Sequence, residues 1–321
     1  MAQHPSLDPQ VAGLLAAATA SGATPLIRST PAEARARVGA GNALCAAGPD
    51  LRDVRDVDLP VDGGSVRGRL YRPDGAEPLA TVVYLHGGGW VTGDLEYSDA
   101  LCRHLAADAG CTVLSVDYRL APEHPFPTPL DDAYSGLRWA ARELARGGPL
   151  VVAGDSAGGA LAAACALRAR DDDGPRLAGQ LLVYPVLDAD LTRASYVSNG
   201  QGLLLGPREM AWFWDHYLPA TDRRADHLAA PLRAADLAGL PPTVLVVADL
   251  DPMRDEGLAY AARLTEAGVP VRLRHVPGLV HGFLRFSAQV PAAAAEAPAI
   301  AGELHDLLTN STRARPTNEG P

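Results

Sequence analysis

Short apolar runs alternate with amphipathic stretches along most of the chain after residue 80. The runs are apolar at successive positions, which is typical of strands buried on both faces of a sheet, and the stretches between them have helical spacing. This alternation predicts an α/β fold, with a mostly parallel sheet and helices on both faces. The predicted strands are 81–85, 112–116, 149–153, 180–186, 243–248 and 271–276, and the principal helices are 128–145, 157–170 and 254–267.

Three regions depart from this alternation. Residues 1–50 are rich in Ala with helical spacing, and the extended runs 54–59 and 66–71 flank Asp-Gly-Gly at 62–64, which predicts a hairpin. Residues 188–240 separate two strands by about fifty positions and contain an aromatic-rich helical stretch at 207–219. An insertion of this length is typical of a lid or an accessory packing unit.

Composition excludes several classes of function. The net charge of −10 disfavours a nucleic-acid partner. All 28 basic residues are Arg, so lysine chemistry such as a Schiff base is absent. The four cysteines fit neither a disulfide framework nor a zinc site. The N-terminus has no signal-peptide pattern and no apolar run reaches 18 residues, so a cytoplasmic protein without a membrane partner is expected.

The strongest chemical signal lies at 154–158, where Gly-Asp-Ser-Ala-Gly follows a predicted buried strand and precedes an Ala-rich helix. A G-x-S-x-G sequence in this strand–turn–helix context is typical of a nucleophile elbow, which exposes the serine hydroxyl on a strained turn. The elbow also places Ser156 at a helix N-terminus, where a developing anion is favoured. Ser156 is therefore the predicted nucleophile.

A second signal lies at 86–90, where His-Gly-Gly-Gly-Trp follows the predicted strand 81–85. Such a loop lets backbone N–H groups approach a substrate without intervening side chains, and it is typical of oxyanion holes in lipases and esterases. Together with the N–H that follows the nucleophile, it predicts donors at Gly88, Gly89 and Ala157.

The predicted base and acid follow the nucleophile along the chain. His281 comes just after the last predicted strand, where a loop delivers an imidazole to the carboxyl edge of the sheet. The acid belongs between Ser156 and His281, and Asp251 precedes a proline that keeps it outside the following helix. Asp249 and Asp255 are its competitors.

These motifs together resemble the hormone-sensitive-lipase-like family of α/β-hydrolases. The resemblance covers residues 66–286 and depends on HGGGW, DYRLAPEHPFP, GDSAGG, DPMRDEG and HGF, in that order and with matching spacing. It implies an eight-stranded α/β-hydrolase fold with a helical cap, the triad Ser156, Asp251 and His281, and no cofactor or metal. The implied organisation is cap helices at 1–50, a catalytic domain at 51–187 and 241–309, and a cap insertion at 188–240. The polar composition of residues 310–321 predicts a disordered tail.

The resemblance implies a serine carboxylesterase that acts on short- to medium-chain esters through an acyl-enzyme. Trp90, Trp212 and Phe213 are the candidate substrate-binding residues, and packing of the cap core is an equal alternative for each ring. The same triad serves amide and lactone hydrolases, including deacetylases. A receptor that lacks catalysis is disfavoured by the presence of His281, and a dehydratase is disfavoured by the intact serine. The oligomeric state stays open, with a homodimer among the expected states.

Overall fold

The computed structural model describes residues 6–22, 24–75 and 77–313. The strands are β1 (Asp53–Val61), β2 (Gly64–Arg72), β3 (Thr81–Leu85), β4 (Thr112–Val116), β5 (Leu150–Asp155), β6 (Gly179–Val183), β7 (Thr243–Leu250) and β8 (Val271–Val280). The helices are α1 (Pro9–Ala20), α2 (Pro31–Ala40), α3 (Asp99–Ala107), α4 (Thr128–Ala140), α5 (Ala157–Asp171), α6 (Ala194–Asn199), α7 (Pro207–Tyr217), α8 (Arg254–Glu266), α9 (Pro291–Ala294) and α10 (Glu296–Arg313).

The eight strands form one sheet in the order β1-β2-β4-β3-β5-β6-β7-β8. The β1–β2 hairpin is antiparallel, β2 is antiparallel to β4, and all other neighbouring pairs are parallel. The hairpin turns at residues 62–63, as predicted. The predicted α/β fold with a mostly parallel sheet is therefore confirmed.

Alternate residues of each central strand point to opposite faces of the sheet, and each face has its own apolar core. In β3, Val83 and Leu85 join the core that is covered by α4, α5 and α8. Val82 and Tyr84 join the core that is covered by α3 and α10. Because both faces are covered, the strand is apolar throughout, which explains its continuous pattern in the sequence.

The N-terminal helices and the insertion before β7 meet above the carboxyl edge of the sheet. The helix α7, which lies in the insertion, packs against the 3-10 turn Leu26–Arg28 between α1 and α2. The helix α2 begins at a capping box in which Thr30 and Glu33 bond each other's backbone N–H groups. None of the helices in the described ranges is long and apolar enough to cross a membrane.

Several predicted boundaries are wrong. The strand predicted at 180–186 ends at Val183, because Tyr184 has a positive φ of 36° and the following Pro185 has no N–H for the ladder. The last strand extends to Val280 through a proline, which an edge strand tolerates.

The helical ends also differ from the prediction. The stretch predicted as one helix at 128–145 ends as an α-helix at Ala140 and closes in a π-helical turn, Ala141–Ala145. The predicted tail begins too early, since α10 continues through residues 310–313. The rest of the predicted tail, 314–321, lies outside the described residues.

The fold requires close contact between α5 and the end of β3. A β-carbon added at Gly158 would lie 2.0 Å from the Leu85 carbonyl oxygen, whereas one added at Gly302 in α10 would meet no atom within 4 Å.

We therefore expect Gly158→Ala to lower the free energy of unfolding by at least about 1–3 kcal/mol, since backbone atoms must shift. The matched control Gly302→Ala should raise it by roughly 0.5–1 kcal/mol, because alanine favours a helix interior. Urea unfolding of both variants measures the difference. Equal midpoints for the two would contradict the proposed close contact.

Candidate active site

The strand β5 ends at Asp155 and the helix α5 begins at Ala157, so Ser156 occupies the turn between them. Its backbone has φ 55° and ψ −120°, a conformation that side-chain-bearing residues rarely adopt. Two backbone groups of Ser156 are tied to the neighbouring segment: its N–H donates to the Val183 carbonyl at 2.9 Å, and its carbonyl accepts from the Val186 N–H at 3.1 Å. The strained turn is thus held by β6 and the residues after it.

The structure brings the predicted serine, histidine and aspartate into one hydrogen-bonded chain. The Nε2 atom of His281 lies 2.8 Å from Ser156 Oγ, and its Nδ1 atom lies 2.7 Å from Asp251 Oδ2. The three side chains are 1–6% exposed. Because an ionised carboxylate only accepts hydrogen bonds, Nδ1 carries the ring proton and Nε2 is left to accept from the serine hydroxyl.

Two further contacts hold the aspartate in this orientation. The Met253 N–H donates to the other carboxylate oxygen, Asp251 Oδ1, at 2.7 Å. The Asn199 side-chain amide, at the end of α6, donates to the Asp251 carbonyl at 3.1 Å and to the Asp249 carbonyl at 3.2 Å. Sequence reasoning missed Asn199, because its partners are backbone atoms about fifty residues away.

The competing acids have other partners. Asp249 Oδ1 lies 2.6 Å from the Nε2 atom of His275, a half-exposed residue of β8. Asp255 Oδ2 accepts from the Ser195 N–H at 2.8 Å, and the other oxygen lies 3.0 Å from Arg254. Neither carboxylate is bonded to His281, so the geometry favours Asp251 among the three.

The glycine loop after β3 turns toward Ser156. Gly88 and Gly89 have positive φ values of 110° and 61°, and both line the same cavity as Ser156 and His281. Within the described chain, the N–H groups of Gly88, Gly89 and Ala157 have no acceptor. Three unpaired donors beside a serine hydroxyl can receive an oxyanion, the arrangement that acyl transfer requires.

Tyr118 and His86 hold the backbone of this loop in position. The Tyr118 hydroxyl donates to the His86 carbonyl at 2.7 Å, and its ring stacks on the His86 imidazole with centroids 4.3 Å apart. The His86 Nδ1 atom lies 2.7 Å from the Gly87 carbonyl, so it is the protonated nitrogen of that ring. His86 is therefore structural, and it does not line the cavity.

The cavity above Ser156 has a volume of about 410 Å³ and mostly apolar walls. Its walls come from α1, α2, the glycine loop, the insertion and the segment after β8. The lining residues are Val11, Leu14, Leu15, Ala18, Arg37, Val38, Gly41, Leu44, Gly88, Gly89, Thr92, Tyr97, Ser156, Val186, Leu204, Leu205, Met210, Phe213, His281, Gly282, Arg285 and Phe286.

Only one of the three predicted substrate-binding aromatics lines this cavity. Phe213 does so, and a β-carbon at Gly89 would lie 2.1 Å from its ring. Trp90 is fully buried and stacks on Tyr217 at 4.1 Å, so it packs the insertion against the glycine loop. Trp212 packs edge-on against Phe213 and is absent from the cavity lining. The cavity lining therefore does not support Trp90 and Trp212 as substrate-binding residues, and both have the packing role that was the alternative for each ring. For Trp212, helical spacing does not show which face of α7 meets the cavity, and the burial of Trp90 depends on its stack with Tyr217 from a distant segment.

Comparison with known proteins agrees with this geometry. The model of the alpha/beta hydrolase fold family matches residues 82–285, more than half of the chain. The chain belongs to this family. A carboxylic ester hydrolase of Mycobacterium tuberculosis is 44% identical over 255 residues, which cover 75% of this chain and 68% of that protein. An ethyl acetate hydrolase of Pseudomonas putida is 38% identical over 296 residues, which cover 87% of this chain and 92% of that protein.

Solved structures give the same assignment for this hydrolase. A thermostable esterase from Pseudomonas putida superposes with a TM-score of 0.89 at 35% identity, covering 96% of this chain and 99% of that one. A hydrolase from the metagenome of Lake Arreo gives a TM-score of 0.89 at 36% identity, and the match covers 94% of this chain and 98% of that one. The predicted resemblance to hormone-sensitive-lipase-like esterases is confirmed.

The hydrolase has a buried carboxylate that sequence reasoning did not use. Asp155, which is 2% exposed, is the last residue of β5 and directly precedes Ser156. Its Oδ1 atom accepts from the Tyr84 hydroxyl at 2.8 Å and from the Gly87 N–H at 2.9 Å. Burial raises the pKa of the Asp155 carboxyl above its ordinary value, and the Tyr84 and Gly87 hydrogen bonds oppose that rise. The carboxyl group thus joins the elbow to Gly87, the first glycine of the loop.

We expect Asp155→Ala to release the Gly87 N–H and misplace the loop donors. Labelling of Ser156 by a fluorophosphonate probe should then slow by roughly 10²–10³-fold, the size of a lost oxyanion donor. Asp155→Asn keeps an oxygen acceptor at the same position and should retain most of the rate. Thermal unfolding of each variant separates this effect from loss of fold. Equal labelling by the Ala variant and the parent protein would rule out the positioning role.

Proposed function

We propose that this hydrolase is a serine carboxylesterase and that Ser156, His281 and Asp251 perform the reaction. Ser156 attacks the ester carbonyl while His281 takes the hydroxyl proton at Nε2. Asp251 keeps the imidazole in the required tautomer and stabilises the imidazolium that forms. The observation that carries the proposal is the hydrogen-bonded chain from Asp251 through His281 to Ser156 at the floor of an apolar cavity.

The reaction then passes through an acyl-enzyme. The carbonyl oxygen becomes an oxyanion, which the N–H groups of Gly88, Gly89 and Ala157 receive. His281 returns its proton to the leaving alkoxide, and the alcohol departs. Water, deprotonated by His281, attacks the acyl-serine and releases the carboxylic acid and free Ser156. Two of the relatives, a carboxylic ester hydrolase and an ethyl acetate hydrolase, support ester substrates.

The cavity supports esters of short to medium chain length. A volume of about 410 Å³ is at the small end of the range for ligand pockets, and Phe213 narrows it beside the glycine loop. We propose that residues 1–50 and 188–240 act together as the cap of this cavity. Both segments supply apolar lining residues, among them Leu14 and Leu15 from α1 and Met210 and Phe213 from α7.

The first test is the release of p-nitrophenol from esters of acetate through dodecanoate. We expect a maximum at short or medium chains, and Ser156→Ala should lower kcat by roughly 10⁴–10⁶-fold. Ser115→Ala, a change of another buried serine, on β4, is the matched control and should retain activity. Rates equal for parent and Ser156→Ala would refute the assignment. Inert esters with a reactive serine probe would instead indicate an amide or lactone substrate.

The second test concerns the cavity wall. Removing the Phe213 ring should open the space beside Gly89, so Phe213→Ala should shift the chain-length maximum toward longer acyl or alcohol groups. We expect kcat/KM for those esters to rise by about tenfold relative to acetate, the effect of one or two accommodated methylenes. Trp212→Ala removes a neighbouring ring that does not line the cavity and should leave the profile in place. An unchanged profile in both variants would show that Phe213 does not limit the substrate.

A further inference from the structure

The charged residues of the cavity all have the same sign. Within the described chain, its lining includes two arginines, Arg37 and Arg285, and no aspartate or glutamate. This contrasts with the whole protein, which has a net charge of −10. Two cations in an otherwise apolar cavity require an explanation, because apolar walls strengthen the interaction of any charge with a bound ligand.

Arg285 lies four residues after the base and is fixed by neutral groups. Its Nη1 atom donates to Asn42 Oδ1 at 2.7 Å and to the Tyr97 carbonyl at 3.4 Å, and its Nη2 atom donates to the Val38 carbonyl at 2.8 Å. The guanidinium also lies over the Tyr97 ring, 4.1 Å from its centroid. These contacts orient the group and leave its charge without a carboxylate partner in the described residues.

The Arg285 guanidinium also has N–H groups that these contacts do not use. An arginine has five N–H groups, and the contacts of Arg285 use two on Nη1 and one on Nη2. Its Nε–H and the second N–H of Nη2 have no acceptor in the part of the chain that the structure describes. A rigid guanidinium with two unused N–H groups matches the two oxygens of a carboxylate.

The second cation has a neutral hydrogen-bond partner and one carboxylate nearby. The Nη2 atom of Arg37, an exposed residue of α2, donates to the Ser29 hydroxyl at 2.5 Å. Glu33, one turn earlier on that helix, is bonded to the N–H and the hydroxyl of Thr30, and it also interacts electrostatically with Arg37. Arg37 therefore adds a positive potential to the same cavity wall, which Glu33 partly offsets.

We propose that the preferred substrates are esters that carry a carboxylate away from the scissile bond, and that Arg285 binds this carboxylate with support from Arg37. The inference rests on the proposed esterase function. Two kinds of substrate share this chemistry: monoesters of dicarboxylic acids, with the carboxylate on the acyl side, and acyl esters of hydroxy acids, with the carboxylate on the alcohol side. The contacts of Arg285 to Val38 and Asn42 can be explained as anchoring of α2 and the turn after it. That role leaves the Nε–H and the second Nη2 N–H of Arg285 without a function.

The experiment compares three methyl esters of similar length and different charge: monomethyl adipate, methyl hexanoate and methyl 6-aminohexanoate. Burial in the apolar cavity penalises both charged esters, so the ratio of kcat/KM for the anion to that for the cation isolates the effect of the arginines. We expect this ratio to exceed about 10 at low ionic strength, since hydrogen bonds to charged groups contribute strongly, and to fall with added salt. A parallel set of acetates, 4-acetoxybutanoate, butyl acetate and (4-acetoxybutyl)trimethylammonium, tests the alcohol side by the same ratio.

The variants assign the effect to its residues. Arg285→Met should bring the ratio of anion to cation close to one, and Arg37→Met should lower it by a smaller factor. Arg142→Met removes the same charge from an exposed position outside the cavity lining and should keep the parent ratio. If Arg285→Met does not fold, the ratio in the parent, its salt dependence and Arg37→Met still decide.

The outcomes separate this inference from the proposed function. Hydrolysis of methyl hexanoate or butyl acetate together with a ratio near one on both sides would overturn the inference and leave the esterase intact. A high ratio that persists in both arginine variants would also overturn it. If every ester is inert, the proposed function fails and the inference fails with it.

Discussion

One buried carboxylate connects the two segments whose relative position determines this site. Asp155 accepts a hydrogen bond from Gly87 at the start of the glycine loop, and its own backbone leads directly into Ser156. The elbow thus contacts the loop segment in two ways. The Asp155 side chain bonds to Gly87, and Gly158 packs against the Leu85 carbonyl. Because interiors are closely packed, a shift of either segment moves the nucleophile relative to the N–H donors of Gly88 and Gly89.

The sheet explains why the other groups converge. The carboxyl ends of β3, β5, β7 and β8 lie at one edge, so the residues that follow them are neighbours in space although they are far apart in the chain. The edge contact between β7 and β8 continues to the pair Leu250 and Val280, immediately before Asp251 and His281. That pairing brings the acid and the base within hydrogen-bond distance.

Much of this could be predicted from the sequence, because local patterns carry it. The G-x-S-x-G turn, the glycine loop and the alternation of strands and helices each depend on neighbouring residues, and the order of serine, aspartate and histidine then restricts the choice of acid. The missed features depend on tertiary contacts. Asn199 and Arg285 act through backbone carbonyls of distant segments, and the burial of Trp90 depends on its stack with Tyr217 in the insertion.

The helix α2, which forms part of the cavity wall, is hydrogen-bonded to the segments that carry the reacting groups. The helix α2 is tied to the loop after Gly89 through Arg35, whose Nε atom donates to the Val91 carbonyl at 2.8 Å. It is tied to the segment after His281 through Arg285, which donates to the Val38 carbonyl. Both arginines satisfy backbone carbonyls, among them one at the end of the helix, where such acceptors lack partners within the helix. A change in the position of α2 would therefore reach the oxyanion loop and the base together, so substrate fit and catalytic geometry are coupled through the same helix.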